Sequence, residues 1–514
     1  MKRTKSFTTV IAVILAVSLL AGCAGSGSDA KDSGENGRIT RSDARPDRVF
    51  ATRTQEFPQG KITAEIYPVQ VVDDHVVVVI DYSLEGPKSV YLKSAMGFDY
   101  VLYHYTFDPV RLVDLAGNRV WTLGKHGYNP VVSNSFHQSI ELGETLRTVS
   151  MFGAPDTPTV DVLLYRFGLI ENVPVIQGDE STPTVESLRL SGEISFPDPT
   201  PIRTYIEAYD KSKSVQSSGK EQTVTIASDV LFATDQDVLG AEAEKVIDEA
   251  AAAIKKTAGS GQIQIVGHTD DVASDEYNLD LSRRRAASVA KRLGSALGSA
   301  FILTTDGKGK SEPVVEGTSD EARAQNRRVE IRFTASSTPV LPGGDIPEAT
   351  VPVAVGHDEV EMDMSKYFNS VRSSYQGEFW KVSVSKVVRR DGYLVGTIMA
   401  TRKTDVCSPG YLQSSGLFAG QPYGLYNSSC SLYLLSANGK VFPAQYTVPL
   451  GHSEGYVWHG LADSSFSVSE GNTPIVGGKI QYTVIWPDPD PGAKAISIED
   501  KGMFRIVDIP VENG

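Results

Sequence analysis

The sequence predicts a multidomain chain in which an α/β domain lies between two all-β sandwich domains. Three observations predict it. Apolar residues recur with period two on both sides of the centre, they recur at helical spacing within it, and polar Pro-, Gly- and Ser-rich stretches separate the three parts. The 514 residues leave room for about three or four domains. Apolar residues make up 40% and charged residues 22%, a balance that buries ordinary cores. The formal net charge of −14 argues against a nucleic-acid partner, which a basic footprint would announce.

The chain begins with an address. Residues 1–6 carry three positive charges, Phe7 to Leu20 is apolar and uncharged, and Leu20-Ala21-Gly22-Cys23 follows. This is the layout of a secretory signal, and the run is too short to span a bilayer, which takes about 20 apolar residues. The tetrapeptide resembles the bacterial lipobox. That resemblance implies cleavage before Cys23 and acylation of its sulfur, and two or more acyl chains make a stable anchor. Residues 24–46 are small, polar and charged, and are expected to form a flexible tether. All that follows is expected outside the cytoplasm, lipid-anchored to an outer membrane or to the outer face of the cytoplasmic membrane.

Residues 47–180 are expected to form the first β domain. Lys61 to Ile66 alternates, Val76 to Ile80 is a buried-strand run, and Asp114 to Trp121 passes through a hairpin turn into a strand. Residues 353–514 form the second, with strands expected at Trp380–Val388 and Tyr393–Ala400 around an Arg390-Asp391-Gly392 turn. Several segments of the two regions match. Ser436 to Phe442 parallels the Gly117 hairpin, Pro487 to Pro491 parallels Pro155 to Pro158, and Asp508-Ile509-Pro510-Val511 parallels Asn172-Val173-Pro174-Val175. A divergent duplication of one module is expected, similar to the immunoglobulin-like accessory modules of bacterial lipoproteins. Cys407 and Cys430 are expected to pair in an oxidising compartment, the alternative being two reduced thiols.

Residues 181–222 and 335–352 are expected to be linkers. Between them, 223–334, the pattern changes. Val224 to Phe232 is a strand, Asp237 to Lys256 has helical spacing, Gln262 to Val266 is a strand, Leu281 to Leu297 is a second helix and Arg328 to Phe333 a closing strand. Strands alternating with helices indicate an α/β layer structure.

Four blocks in this domain carry a specific signal: Gly267-His268-Thr269-Asp270; Tyr277 to Ser282 followed by Arg285-Ala286; Gly307-Lys308-Gly309 with Pro313; and Arg323 to Glu330. In this order and at this spacing they resemble the OmpA C-terminal family, a βαβαββ fold that binds peptidoglycan. The resemblance implies that Asp270 and Arg285 clamp the diaminopimelate of the stem peptide. An Asp accepts from the ammonium, and an Arg fork takes the carboxylate. It further implies that Thr269, Asn278, Leu281 and Arg328 shape or contact the same site, with Arg327 a weaker candidate. Two departures bear on the grip: Ala273 stands where the family often has Gly, and Asp271 adds a negative charge.

No catalytic set and no cofactor or metal spacing accompanies these residues. His268 lacks a second ligand at metal spacing, and the Gly307/Gly309 pair lacks the context of a nucleotide loop. The expected function is a non-enzymatic tether between membrane and wall. In the alternative, the β domains bind an envelope protein and the middle domain only localises them.

Overall fold

A computed structural model describes residues 43–57, 60–92, 109–126, 129–131, 133, 138–189, 193–335, 341–363, 379–403, 432–449, 456–461, 477–500 and 502–514. The signal segment with Cys23, most of the tether, and Cys407 and Cys430 lie outside the described residues.

Valine-rich runs broken at tight turns build the first region. Its strands of three or more residues are β1 (Ala51–Phe57), β2 (Gly60–Ile66), β3 (Val69–Val72), β4 (His75–Glu85), β5 (Val110–Asp114), β6 (Arg119–Trp121), β7 (Thr145–Gly153), β8 (Thr159–Leu164) and β9 (Gly168–Gln177). They are ordered β1-β2-β4-β3-β9-β8-β5-β6, with β7 also on β4. β4 is buried continuously from His75 to Tyr82, because both its faces are covered, and so its sequence is a run rather than an alternation. One face packs with Ile62, Trp121 and Phe152. The other, at Val77 and Val79, meets Met151, Ile194 and Phe196.

The stretch expected to link, 181–222, instead carries strands β10 (Thr200–Pro201), β11 (Arg203–Glu207) and β12 (Lys213–Ser218), with the next strand starting at Glu221. Thr200 and Pro201 pair with β6. A few residues on, Ile206 and Glu207 pair with Val441 and Lys440 of the last region. Residues 200–207 are therefore a strap joining the two β regions. Their backbone groups are satisfied by sheet partners, as buried backbone requires.

The middle region runs β13 (Glu221–Ala227), α1 (Ser228–Leu231), α2 (Ala241–Thr257), β14 (Gly261–His268), α3 (Asp275–Leu297), β15 (Phe301–Gly309), α4 (Asp320–Asn326) and β16 (Arg328–Thr334). The expected alternation of strands and helices is present, but the strand expected over Val224–Phe232 ends at Ala227, where the short α1 begins, and a second short helix, α4, precedes the last strand. The strand order is β15-β14-β16-β13-β12-β11, and β14 and β15 are parallel. α2 and α3 bury Ile247, Ile254, Val289 and Leu293 against Ile263, Ile265 and Ile331 of the sheet. α3 starts six residues earlier than its apolar periodicity shows, because Ser274 caps it: its Oγ accepts from the Tyr277 N–H at 3.2 Å.

The last region contains β17 (Val353–Val355), β18 (Val360–Asp363), β19 (Phe379–Arg390), β20 (Tyr393–Arg402), β21 (Leu432–Ser436), β22 (Gly439–Val441), β23 (Gln445–Pro449), β24 (Tyr456–Gly460), β25 (Lys479–Pro487), β26 (Ala495–Asp500), β27 (Phe504–Pro510) and β28 (Glu512–Asn513). The middle sheet runs on through β11 into β22-β21-β26-β27-β17, eleven strands in line, and β23 on β11 with β24 on β23 brings it to 13, while β18-β19-β20-β25 form a second sheet with β28 on β19. In the other expected linker, 335–352, the described residues around Gly343 are also held by packing. The Gly343 carbonyl accepts from Tyr209 N–H at 3.1 Å, and its N–H donates to Ala437 at 2.8 Å. A Cβ on Gly343 would lie 2.1 Å from the Gly439 nitrogen, so only glycine fits there.

A further core joins the two β regions directly. Val113, Val120, Leu163 and Ile202 pack with Tyr393, Tyr446 and Ile485. Beside it Arg390 reaches across to Asp161, Nη1 to Oδ2 at 2.8 Å. The protein is thus mostly β, with few helices and several sheets, and its described parts are fused rather than strung on linkers.

Candidate functional site

Asp270 leaves the carboxyl end of β14, and Arg285 projects from α3, fifteen positions later. Asp270 Oδ1 accepts from the Val272 N–H at 3.3 Å, and its Oδ2 accepts from Arg327 Nη1 at 2.9 Å. Arg327 is in turn clamped by Asp229, with Nε and Nη2 donating at 2.9 and 2.6 Å. Hydrogen bonding to Arg327 holds the Asp229 carboxyl below its usual range.

Arg285 is 5% exposed. Its Nε donates to the Gln236 carbonyl at 2.9 Å, and its guanidinium lies over the Phe232 ring, 5.2 Å from the centroid, a cation–π contact. Burial lowers its pKa, and the charges of Asp229, Asp235, Arg327 and Asp270 all act on it. The result is one cluster of three carboxylates and two guanidiniums at the top of the middle sheet. Such a cluster can hold a small ligand bearing both signs of charge through paired, charge-assisted hydrogen bonds.

The supporting residues fall into place locally. Thr269 is buried; its N–H donates to the Gly309 carbonyl at 2.9 Å and its hydroxyl to the Asp270 carbonyl at 3.1 Å. Asn278, also buried, donates from Nδ2 to the carbonyls of Asp270 and Ala273, at 3.3 and 3.1 Å. It pins the loop that carries Asp270. Leu281 is buried beneath the same helical turn. Gly267 lets α3 close on the strand, since a Cβ there would meet the Ser282 carbonyl oxygen at 2.2 Å.

Arg328, expected to contact the same site, is bonded to groups other than Asp270. It is buried and donates from Nε to Glu330 at 2.7 Å and from Nη2 to the Glu312 carbonyl at 3.2 Å. Successive side chains at a strand point to opposite faces, so Arg327 takes the Asp270 side and Arg328 the Glu330 side. Near this cluster His268 is 1% exposed and lies 3.6 Å from Glu330. Burial, reinforced by Arg328, pushes its pKa down to about 4.

The two departures also resolve. Arg323 Nε donates to Asp271 at 2.7 Å and holds that carboxyl below its usual range, so the extra charge is already paired. Ala273 does not adopt a positive φ and needs no glycine. Sequence reasoning missed Asp229, Phe232, Asp235 and the Gln236 carbonyl. The one available signal was Asp235 in an Ala-Thr-Asp-Gln stretch, since Asp tolerates the left-handed turn it adopts at φ 57°.

Residues 231–327 match the OmpA family. The chain is similar to an outer membrane protein A of Bordetella avium, 36% identical over 113 residues, which are 22% of this chain and 58% of that protein. It is similar to a peptidoglycan-associated lipoprotein of Pseudomonas aeruginosa, 38% identical over 102 residues, 20% of this chain and 59% of that one. It therefore spans less than two thirds of the length of these relatives. Among solved structures it resembles the cell wall anchor of the T6SS from Pseudomonas aeruginosa at 35% identity, covering 24% of this chain and 90% of that one with a TM-score of 0.23. Residues 231–327 are an OmpA family domain, and it lies between two larger stretches of β structure.

Proposed function

We propose that this chain binds peptidoglycan non-covalently, without catalysis, and holds it through the diaminopimelate of the stem peptide. Support comes from the OmpA family match together with the similarity to peptidoglycan-associated lipoproteins. The observation that carries the reading is that Arg285, nearly buried, and Asp270, bonded to Arg327, belong to one charged cluster. The ammonium of a zwitterionic centre would go to Asp270, displacing Arg327 in part, and the carboxylate to Arg285. Thr269, Asn278 and Leu281 would hold the loop in shape. Arg327 joins the site by its contact with Asp270, and Arg328 serves it only from below. A few charge-assisted bonds of about 1.5–3 kcal/mol each support micromolar affinity.

The lipobox-like tetrapeptide at Cys23 supports a lipid anchor, so that the chain would tether membrane to wall in the cell envelope. We further propose that the flanking β regions are diverged copies of one sandwich module and carry any envelope protein partner. Co-sedimentation with purified sacculi tests the main reading. Asp270→Ala and Arg285→Ala are each expected to abolish pelleting, with the circular dichroism spectrum unchanged and no soluble fragments released by the parent protein. Full pelleting of both variants would place the wall contact elsewhere.

A further inference from the structure

Arg327 bonds two carboxylates at once, and the two contacts are unequal. Asp229 holds it with both oxygens, accepting from Nε at 2.9 Å and from Nη2 at 2.6 Å. Asp270 accepts from Nη1 alone, at 2.9 Å. Hydrogen bonding to Asp229 also raises the Arg327 pKa more than hydrogen bonding to Asp270 does. The backbone reinforces the first contact. The Ser228 N–H, one residue before Asp229, donates to the Arg327 carbonyl at 2.9 Å, and the Arg327 N–H donates to the Arg323 carbonyl at 3.0 Å. The start of α1 and the end of α4 are thereby tied together, which holds Asp229 beside Arg327 without help from Asp270.

The exposures differ in the same sense. The Asp270 side chain is 17% exposed and that of Asp229 58%. A carboxylate withdrawn from water needs a counter-charge more than one that faces water. Arg327 supplies Asp270 with that charge, so an ammonium bound for Asp270 has to compete with it. On leaving Asp270, Arg327 keeps two of its three side-chain bonds to carboxylates, both of them to Asp229.

We propose that Asp229 is a positioning residue for the site: it retains Arg327 when an ammonium takes over Asp270, so that the exchange strands no guanidinium. Arg327 is then an internal competitor for the ammonium, and Asp229 sets how strongly it competes. This rests on the reading of Asp270 as the ammonium's acceptor, and adds what governs its availability. Without Asp229, only Asp270 of the two carboxylates would remain to Arg327, which would yield it less readily.

Binding isotherms of the full chain on purified sacculi test this as a double-mutant cycle. Asp229→Asn, a near-isosteric change at an exposed position, is expected to weaken binding about fivefold, the scale of one exposed ion pair. Arg327→Gln removes the competitor and is expected to bind at least as tightly as the parent. Asp229→Asn/Arg327→Gln is expected to match Arg327→Gln, because Asp229 acts through Arg327. A merely structural role would instead cost the same in both backgrounds. Equal losses from Asp229→Asn with and without Arg327, or no loss with Arg327 present, would overturn the assignment. So would an Arg327→Gln variant as weak as Asp270→Ala, since Arg327 would then hold the ligand rather than compete with it. Asp270→Ala also keeps the two levels of argument apart. If it binds sacculi as the parent does, the ammonium site is misplaced and the role of Asp229 falls with it. If it loses binding while the cycle is additive, only the role of Asp229 falls.

Discussion

The first and last β regions lay out the same path with different side chains. Each has a hairpin turning on an Asp at positive φ, Asp73 and Asp391, and each sets a third strand against the hairpin's second strand, β7 on β4 and β25 on β20. Each then brings a bulged strand pair against a short hairpin, β8–β9 on β5–β6 and β26–β27 on β21–β22. Asn172 and Asp508, two residues before a proline, share φ values of 54° and 53°. The cores diverge by exchange of volume. Three residues past the first turn Val76 faces Phe152, and three past the second Leu394 faces Trp486. Five residues past the turns stand Val78 and Gly396. A Cβ on Gly396 would lie 2.5 Å from the Trp486 ring, so the larger ring is matched by an absent side chain. Close packing conserves total volume rather than identity.

The regions differ most where they meet. Asp161 and Ser497 occupy equivalent places, paired with Val113 and Leu435, each one residue before the end of its strand. Only the Asp is charged, and it is met by Arg390, whose counterpart before the first turn is Val72. Arg390 and Asp161 side chains are 16% and 3% exposed, and burial raises the Asp161 pKa while Arg390 opposes the rise. Breaking one side of such a pair strands a buried charge. Arg390→Met is therefore expected to lower stability in urea by about 3–5 kcal/mol, the largest effect in this set. Adding Asp161→Asn is expected to recover part of it. A cost near zero for Arg390→Met would mean that the apolar junction alone holds the two regions together.

The middle domain handles a buried titratable group in the opposite way, keeping His268 neutral. Its pKa falls from 6.5 to about 4 on folding, so the unfolded chain takes up the proton first. The associated stability is complete above about pH 6.5 and is lost as pH falls through about 4. The full span is about 3 kcal/mol. Urea midpoints measured from pH 7 to 4 are expected to fall, and His268→Gln to flatten the slope. An unchanged slope in the variant would assign the acid sensitivity to the carboxylates of the β regions instead.

Sequence reasoning reached what local pattern encodes. The Val76–Ile80 run, the Arg390-Asp391-Gly392 turn and the α2 and α3 stripes follow from burial period and turn chemistry, and the Gly117 and Gly439 hairpins, alike in sequence, pair alike in the structure. Asp270 was legible because its four blocks keep their spacing. The strap at 200–207 was not, since Thr-Pro-Ile-Arg-Thr-Tyr owes its strand form to partners far along the chain, at Val120 and Val441. The choice between Arg327 and Arg328 was also out of reach. It turns on which of two adjacent residues faces Asp229, and that depends on the register of β16 with β13, where Arg328 lies opposite Ala227.

The volume exchange between the two regions gives the smallest and sharpest prediction. Gly396→Val introduces the residue found at the matching place in the first region but drives its side chain into the Trp486 ring, and overpacking of this kind costs about 1–3 kcal/mol. Trp486→Phe alone is expected to cost a similar amount, through the cavity it opens and the loss of the Nε1 hydrogen bond to the Leu432 carbonyl at 2.9 Å. Together the two changes recreate the Val78–Phe152 arrangement, and urea denaturation of the four proteins forms a double-mutant cycle. The pair is expected to be more stable than the sum of the single losses, with a coupling of about 1 kcal/mol or more. Additive losses would show that Gly396 and Trp486 vary independently, and that the two regions share a backbone path without sharing a rule for filling it.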